Sequence, residues 1–268
     1  MSVERRLCRT RLGHVHAVLA APAESGAAAG SPLVLLHQTP RSVDEFAEAV
    51  PLLARERRVV ALDTPGYGCS DRVPGQPRVE DYAGAVLDAL DALGVGSFVP
   101  VGHHTGAVIA FELAAAAPER VERAAFSGPV DLDAAGRAYL LPFFRQWTVA
   151  ADGAHLLDKW SKFVGWLPDP PLVQRLVVDL FRAGETSEQG HFATTLYRME
   201  DRAPHVRCPA LLLYGARDPF ATPARAALHR AAFRPVVETT VDAGVFAPNE
   251  NAPGWTGAVL DWLRGTPR

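Results

Sequence analysis

The segment FVPVGHHTGAVIAFELAAA, residues 98–116, decides the predicted fold. It opens with a short apolar run, Phe98 to Gly102, which is typical of a buried strand. A single turn, GHHTG at residues 102–106, then leads into a helical stretch of mostly small residues, Thr105 to Ala117. Small residues are what a tight junction between a strand and a helix requires. The sequence therefore predicts a strand, a sharp turn with His104 at its tip, and a helix.

Apolar runs of the same kind recur along the chain, each closing on a turn-forming or polar residue. The predicted strands are Leu33 to His37, Arg58 to Asp63, Phe98 to Gly102, Ala124 to Pro129, Ala210 to Gly215 and Val236 to Val241. The predicted helices are Val43 to Arg55, Val79 to Leu93, Thr105 to Ala117, Pro223 to Phe233 and Pro253 to Leu263. Strands that alternate with helices predict an α/β fold, a mostly parallel sheet flanked by helices on both faces. Ahead of them, Arg5 to Thr10 and His14 to Ala20 predict an antiparallel hairpin.

The alternation stops between Asp131 and Pro204, where helical stretches surround a Pro-Asp-Pro-Pro break at residues 168–171. We interpret residues 131–204 as a helical lid inserted into an α/β core of residues 1–130 and 205–268. The insertion holds three of the five tryptophans, Trp147, Trp160 and Trp166, which predicts an apolar pocket beneath it. Packing of these rings between lid and sheet is the alternative interpretation.

Composition narrows the class of protein. Hydrophobic residues make up 48% of the 268 residues and charged residues 21%, which suits a globular chain and excludes intrinsic disorder. The net charge of −3 gives no basic field for nucleic acid or an anionic membrane, and no apolar run is long enough for a membrane span. We therefore expect a small-molecule substrate, no cofactor and a cytoplasmic location, and leave the oligomeric state open. The three cysteines are too scattered for a disulfide framework or a thiolate zinc site.

The loops that follow the strands should carry the site, because ligands bind at the carboxyl ends of parallel strands. Five features occur there in one order: HQTP at residues 37–40, DTPGYGCS at 63–70, GHHTG at 102–106, Asp218, and a segment with Phe246, Pro248, Glu250 and Pro253. In these features the chain resembles the α/β-hydrolase superfamily over nearly its whole length. The resemblance implies the α/β-hydrolase fold. It also implies an oxyanion loop at residues 37–40, a nucleophile elbow at 102–106 and a triad acid at Asp218.

Two departures from the family pattern bear on the chemistry. His104 stands where the resemblance implies a serine, cysteine or aspartate nucleophile, and Val245 aligns with the triad histidine. No histidine follows His229, so the loop after the last strand cannot supply one. Hydrolysis by a Ser-His-Asp triad needs a hydroxyl nucleophile and an adjacent imidazole. The alignment therefore excludes the ordinary serine-hydrolase mechanism.

The residues that remain predict an acid-base site instead. The imidazole of His104 is longer than a serine side chain, and Val245 leaves vacant the space of the missing imidazole. We therefore expect His104 to reach Asp218 and form a dyad. The carboxylate would fix the tautomer, and the other ring nitrogen would face the pocket as a general base. Asp131, after the preceding strand, is the alternative acid.

Further residues are assigned to the same site. Backbone N–H groups of Gln38, Thr39 and Thr105 are expected to face a developing oxyanion. The substrate pocket is expected to include His37, Val245 and Phe246 beside the three lid tryptophans, although His37 has a purely orienting role as its alternative. His103, beside His104, is expected to be structural. His155 and His191 lie in the lid and are expected to be solvated or satisfied there.

No metal site is expected, because consecutive side chains at such a turn diverge and no third ligand for His103 and His104 is evident in the sequence. A polar plug in a dead site is the alternative interpretation of His104.

Three functions remain after these steps. The first is a cofactor-independent enzyme in which His104 removes a proton from a small, largely apolar carbonyl compound, in an elimination, cyclisation, isomerisation or C–C cleavage. The second is hydrolysis of an ester, lactone or similar group by direct activation of water. The third is a ligand-binding protein without catalysis.

Overall fold

Eight strands form one sheet in the computed structural model, which describes residues 2–23, 30–144 and 147–265. They are β1 (Ser2–Thr10), β2 (Gly13–Ala21), β3 (Leu33–Leu36), β4 (Val59–Leu62), β5 (Val99–His103), β6 (Ala124–Ser127), β7 (Ala210–Gly215) and β8 (Val236–Val241). Their order across the sheet is β1-β2-β4-β3-β5-β6-β7-β8. The pairs β1·β2 and β2·β4 are antiparallel, and the five pairs from β4·β3 to β7·β8 are parallel. The predicted α/β fold, with an antiparallel hairpin leading into a parallel sheet, is confirmed.

Helices occupy the connections. They are α1 (Ala49–Leu53), α2 (Val79–Ala92), α3 (Thr105–Ala116), α4 (Ala134–Leu140), α5 (Ala154–Val164), α6 (Pro170–Ala183), α7 (Gln189–Leu196), α8 (Met199–Arg202), α9 (Ala227–Ala232), α10 (Ala247–Glu250) and α11 (Ala252–Arg264). The observed bounds of α2, α3 and α11 agree with the predicted helices to within one residue at each end. The predicted strands are likewise present, with ends that shift by a few residues at most.

Two predicted helices are wrong in their extent. The stretch predicted as Val43 to Arg55 is a 3₁₀ turn, Val43–Phe46, followed by the short helix α1. Pro51 has no N–H to donate, so it fits only the first turn of a helix and prevents α1 from starting much earlier. The stretch predicted as Pro223 to Phe233 is a 3₁₀ turn and then α9, separated by Ala226 in a non-helical conformation, with φ −126° and ψ 31°.

The sheet has an apolar core on each face. Alternate residues of β3 show this directly, since Val34 and Leu36 join the cluster under α2 and α3, whereas Leu33 and Leu35 join the cluster under α1 and α11. All four side chains are fully buried. A strand that is apolar on both faces is typical of a parallel sheet covered on both sides, which explains the continuous apolar runs in the sequence.

The helices α4 to α8 lie between β6 and β7, in the part of the chain predicted as a lid, and we call residues 131–204 the insertion. It has its own apolar cluster, to which Phe246 of the core contributes. A buried ion pair also joins it to the core, because Nε of Arg41, after β3, donates to Asp179 of α6 at 2.9 Å. None of the described helices is both long and apolar enough to cross a bilayer.

The junction between β5 and α3 depends on two glycines. A Cβ atom added to Gly102 would lie 2.1 Å from the carbonyl oxygen of Gly106, and one added to Gly106 would lie 2.0 Å from the carbonyl oxygen of Leu36. Both neighbours are backbone atoms, which cannot move aside as a flexible side chain does. Helix α3 therefore starts in direct backbone contact with the sheet.

This contact predicts a large penalty for Gly106→Ala. We expect the added methyl group to push α3 away from β3 and to lower the free energy of unfolding by about 3 kcal/mol or more. The matched control is Gly96→Ala, because a Cβ atom at Gly96 meets nothing within 4 Å. Urea unfolding followed by circular dichroism measures both variants, and equal, small changes in the two would contradict the proposed close contact.

Candidate active site

His104 occupies the tip of the turn between β5 and α3. Its backbone has φ 47° and ψ −110°, and it is the one non-glycine residue with positive φ in the described part of the chain. Such a conformation costs on the order of 1–3 kcal/mol and persists only where the surrounding structure enforces it. Here the backbone N–H of His104 donates to the carbonyl oxygen of Ser127 at 2.9 Å, which fixes the turn against β6.

The side chain of His104 points to Asp218. Nε2 of the ring lies 2.9 Å from Oδ2 of the carboxylate, and both side chains are largely buried. The two atoms are at hydrogen-bonding distance, although the ring N–H is not aligned well enough for a regular hydrogen bond. Gly128 makes room for the ring, because a Cβ atom there would lie 2.8 Å from Nε2. The structure thus brings together the two residues that the sequence predicts as a dyad, and their catalytic role stays a prediction.

Asp218 is held in place and kept ionised. Burial by itself raises the pKa of this carboxyl, but the neighbouring imidazole of His104 and the backbone N–H groups of Phe220 and Ala221 lower it further than burial raises it. The pKa of Asp218 therefore lies below its ordinary value. Phe220 donates to Oδ1 at 2.8 Å and Ala221 at 3.2 Å, which leaves Oδ2 for the imidazole.

Asp131, the alternative acid, belongs to a different pair. Its Oδ1 lies 2.6 Å from Nδ1 of His229, and its other oxygen accepts from the backbone N–H of Leu228. His229 is packed among Phe111, Phe126 and Phe233, away from His104. The pairing of Asp131 with His229 leaves Asp218 as the acid beside the turn.

His103 has a structural position, as expected. Nδ1 of its ring lies 2.8 Å from Oγ of Ser127, and Nε2 lies 2.9 Å from the carbonyl oxygen of Val245. Oγ of Ser127 also accepts from Nε1 of Trp255 at 2.9 Å. Complete burial, together with the adjacent His104, lowers the pKa of His103 to about 3, so the ring is neutral. His103 therefore connects the turn to the loop that follows β8.

The expected oxyanion donors are not free, which corrects the sequence prediction for two of them. The backbone N–H of Gln38 donates to Oε2 of Glu45 at 2.8 Å, and that of Thr39 donates to Oγ1 of Thr105 at 2.6 Å. The amide of Gln38 also donates to Oε1 of Glu45 at 2.7 Å. The N–H of Thr105 lies in the first turn of α3, where it has no partner within the helix. Of the three backbone N–H groups predicted to face an oxyanion, that of Thr105 therefore remains the candidate.

Glu45 is a part of the site that sequence reasoning missed. Its carboxylate is fully buried, and burial raises its pKa to about 7, although the nearby Arg41 guanidinium and the hydrogen bonds from Gln38 oppose that rise. The residue sits in a short 3₁₀ turn with no periodic pattern, and it belongs to none of the recognised motifs. The one signal in the sequence is Gln38, since its side-chain amide needs a hydrogen-bond partner.

A cavity of about 680 Å³ opens above His104 and is lined from both the core and the insertion. Val245, Phe246 and Trp166 line it, as expected. Trp147 and Trp160 do not, which corrects the predicted pocket. Nε1 of Trp147 donates to Oγ of Ser187, its ring stacks on His155, and Trp160 packs on the apolar cluster of the insertion. Both tryptophans therefore pack within the insertion, whereas the alternative interpretation places them between lid and sheet.

Sequence reasoning did not identify the other aromatic residues of this cavity. They are Tyr139, Phe143, Phe144, Phe163, Tyr197 and Phe220. Three of them, Tyr139, Phe143 and Phe220, are substantially exposed and mark its open side. His191 also lines the cavity, where its ring stacks on Phe144 and its Nδ1 lies 2.7 Å from Glu188. The expectation of a satisfied His191 agrees with that contact.

His37 is also outside the large cavity. Its Nδ1 donates to the carbonyl oxygen of Gln38 at 2.9 Å, and its Nε2 accepts from the backbone N–H of Thr64 at 3.0 Å. Burial lowers its pKa, so the ring is neutral. It borders a separate void of about 10 Å³, which is room for one water molecule. His37 therefore orients the loop after β3, as its alternative interpretation held, and the pocket assignment is wrong.

One group of potential metal ligands occurs among the described residues, namely His16, Asp63 and Cys69. The carboxylate of Asp63 is already engaged, because it accepts from the backbone N–H groups of Val43 and Cys69 and lies 2.8 Å from Nδ1 of His16. These contacts hold the turn at residues 63–70 in shape. The group is explained by architecture, and it lies outside the cavity lining.

Comparison with known proteins places this geometry in context. The profile of the alpha/beta hydrolase fold matches residues 31–247. The (E)-2-((N-methylformamido)methylene)succinate hydrolase of Acinetobacter baylyi is 24% identical over 201 residues, which cover 72% of this chain and 74% of that protein.

Two further matches differ in extent. A dihydrolipoyllysine-residue acetyltransferase component of an acetoin cleaving system, from Pseudomonas putida, is 31% identical over 58% of this chain, and the match spans only 40% of that protein. Among solved structures, the enol-lactonase of Burkholderia xenovorans superposes with a TM-score of 0.76 at 21% identity, covering 97% of this chain and all of that one. At this identity the superposition shows the fold alone.

The buried Glu45 predicts a specific dependence of stability on pH. Its pKa is about 7 in the folded protein and 4.5 as the ordinary value. Between pH 4.5 and about pH 7 the folded state binds more protons than the unfolded state. The free energy of unfolding should therefore fall as pH rises through this range, by roughly 3 kcal/mol in total. The Glu45→Gln variant cannot titrate there and should lack this component. Urea titrations of both proteins from pH 4 to about pH 8 measure the difference, and parallel curves would contradict the assignment.

Proposed function

The chain belongs to the α/β-hydrolase fold family, and on that basis we propose that it is a cofactor-independent enzyme in which His104 is a general base. The substrate would be a small carbonyl compound with a largely apolar body. One observation carries the proposal: an imidazole stands at the tip of the turn with the carboxylate of Asp218 at 2.9 Å. A carboxylate behind an imidazole is the arrangement that general-base catalysis uses.

The proposed reaction begins with proton transfer. With Nε2 of His104 toward Asp218, Nδ1 is the nitrogen left to take a proton from a carbon next to the substrate carbonyl. The electron pair of that C–H bond stays on the substrate, which becomes an enolate, and the proton converts His104 to an imidazolium. The ionised Asp218 stabilises this imidazolium. The N–H of Thr105, at the positive end of α3, is the candidate partner for the enolate oxygen. Elimination, cyclisation, isomerisation or C–C cleavage follows from such an intermediate, according to the substrate.

The residues around the turn favour proton abstraction by His104 over a mechanism with an acyl-enzyme intermediate. His104 supplies no hydroxyl or thiol for attack, and the loop after β8 carries Val245 instead of a second imidazole. The N–H groups of Gln38 and Thr39 are occupied by Glu45 and Thr105. A tetrahedral intermediate, which needs several donors around one oxygen, would find fewer here than in a serine hydrolase.

Hydrolysis by direct activation of water is the second candidate. The same dyad would take a proton from water instead of from carbon, and the curated relatives favour this reading, since several carry names of hydrolases, among them the enzyme from Acinetobacter baylyi. Ligand binding without catalysis is the third candidate, supported by the 680 Å³ cavity alone.

Proton abstraction can be tested without knowing the product. We expect the protein, in D₂O, to exchange the acidic C–H protons of at least one compound in a panel of ketones, β-keto acids and enol lactones, followed by NMR. His104→Gln and Asp218→Asn should each slow exchange by about 10²- to 10⁴-fold, and the double variant should be little slower than the worse single variant. The control is His155→Gln, because His155 packs on Trp147 inside the insertion. Full exchange activity in His104→Gln would contradict the proposal.

The second candidate predicts a different result from the same protein. If the dyad activates water, an ester and lactone panel in H₂¹⁸O should give products with one ¹⁸O atom, and the carbonyl panel should show no C–H exchange. That outcome would replace proton abstraction by hydrolysis, with His104 still as the base.

The missing nucleophile predicts resistance to a standard probe. Because no hydroxyl stands at residue 104, a fluorophosphonate that labels activated serines should not modify the folded protein. His104→Ser restores the hydroxyl but not an adjacent imidazole, so it should also react slowly. Mass spectrometry of the intact protein measures both, and stoichiometric labelling of a serine in the wild type would contradict this account of the site.

A further inference from the structure

The two lysines of the chain share one location. Of the 27 basic residues, only Lys159 and Lys162 are lysine, and the remaining 25 are arginine. Both lie on α5 (Ala154–Val164), three residues apart, so that they occupy neighbouring turns on one side of the helix. Both line the 680 Å³ cavity that also contains His104. In a chain that uses arginine at every other basic position, both lysines border this one cavity, Lys159 partly buried and Lys162 exposed.

Neither ammonium group is neutralised by a strong partner. Nζ of Lys159 lies 3.3 Å from Asp158, whose side chain is 71% exposed, and such a surface pair contributes little. Lys162 forms no ion pair with any described residue; its Nζ lies 5.6 Å from the ring centre of Trp166, another lining residue. Both groups are therefore available to a ligand in the cavity.

The cavity lining carries fewer acidic than basic side chains. Glu188 is the one acidic residue among the described lining residues, and its carboxylate is already held by Nδ1 of His191 at 2.7 Å. Burial raises the pKa of Glu188, but His191 and the two lysines lower it further, so the carboxylate stays ionised beside them. Arg41, also in the lining, is engaged by Asp179 and Asn249. With Arg225 at the edge, the cations exceed the one anion.

We propose that Lys159 and Lys162 form a subsite for a carboxylate group of the substrate. This deepens the proposed function, on which it rests for the role of the cavity, by adding an anionic end to the apolar carbonyl compound. Flexible ammonium groups with three donors each suit a singly charged carboxylate. The nearby Glu188 disfavours a dianion, such as a phosphate monoester, more strongly than it disfavours a carboxylate.

The scarcity of lysine gives a direct test that does not need turnover. Reductive methylation with ¹³C-formaldehyde keeps the positive charge and one N–H donor on each lysine. It labels Lys159, Lys162 and the N-terminal amine, and the variants Lys159→Arg and Lys162→Arg assign the two lysine signals in a ¹H–¹³C spectrum. The ligands are matched pairs of an aromatic or aliphatic carboxylic acid and its neutral amide, at constant ionic strength. We expect several acids to shift both lysine signals saturably, and their amides to leave both signals in place.

Variants then test the charge itself. Lys162→Met should weaken acid binding about tenfold, read from the signal of Lys159, whereas Lys162→Arg should retain most of it. The control is Arg198→Met, which removes an exposed cation of the insertion that does not line the cavity. It should leave acid binding unchanged. If Arg198→Met and Lys162→Met weaken acid binding equally, binding depends on the overall charge of the protein, and the subsite is overturned.

Two further results would overturn the proposal. One is the absence of a saturable shift with every acid, or equal shifts with acid and amide. The other is a stronger response to a phosphate monoester than to the acid of the same body. The lysine signals report ligand binding alone and need no proton transfer at His104. A failure of the proposed base therefore leaves this test intact, and a failure of the subsite leaves the exchange experiment intact.

Discussion

The backbone contact of β3, β5 and α3 is the constraint on which the rest of the site depends. Gly102 and Gly106 leave no room for a methyl group between these elements, so the chain must turn from strand to helix within two residues. That turn forces His104 to positive φ and projects its side chain from the carboxyl edge of the sheet. A strained residue held by three regular elements is fixed in position, which is what a catalytic group requires.

The residues around the turn leave space and a partner for an imidazole at position 104. Gly128 leaves space for the ring of His104, and Oδ2 of Asp218 is the carboxylate oxygen that the backbone donors leave open. His103 extends from the same turn to the carbonyl oxygen of Val245, and so closes the loop after β8 against the site without any side chain from position 245. The imidazole beside Asp218 thus comes from the turn after β5 and not from the loop after β8.

The sequence predicts the sheet and the proximity of His104 to Asp218 because both follow from local patterns. Continuous apolar runs mark buried parallel strands, and the GHHTG turn and Asp218 stand at fixed places in the order of the fold. The contacts that it fails to predict depend on packing between distant segments. Nothing in the sequence indicates that Glu45 takes the N–H of Gln38, or that Thr105 takes that of Thr39. Trp147 and Trp160 were likewise misassigned, because an aromatic residue in an insertion packs against its neighbours as readily as it faces a cavity.

Glu45 holds the loop after β3 in place, and this bears on the choice between the proposed reactions. One carboxylate holds both the backbone and the side chain of Gln38, and the guanidinium of Arg41 ties the same loop to Asp179 of the insertion. A donor locked in this way does not reorganise when charge develops on a substrate oxygen. In the proposed reaction, that charge would be stabilised at the start of α3, directly beside the imidazole of His104. In the proposed reaction, the base His104 and the candidate donor Thr105 would be consecutive residues of one turn, a spacing that suits a reaction on two adjacent atoms, the C–H carbon and its carbonyl carbon.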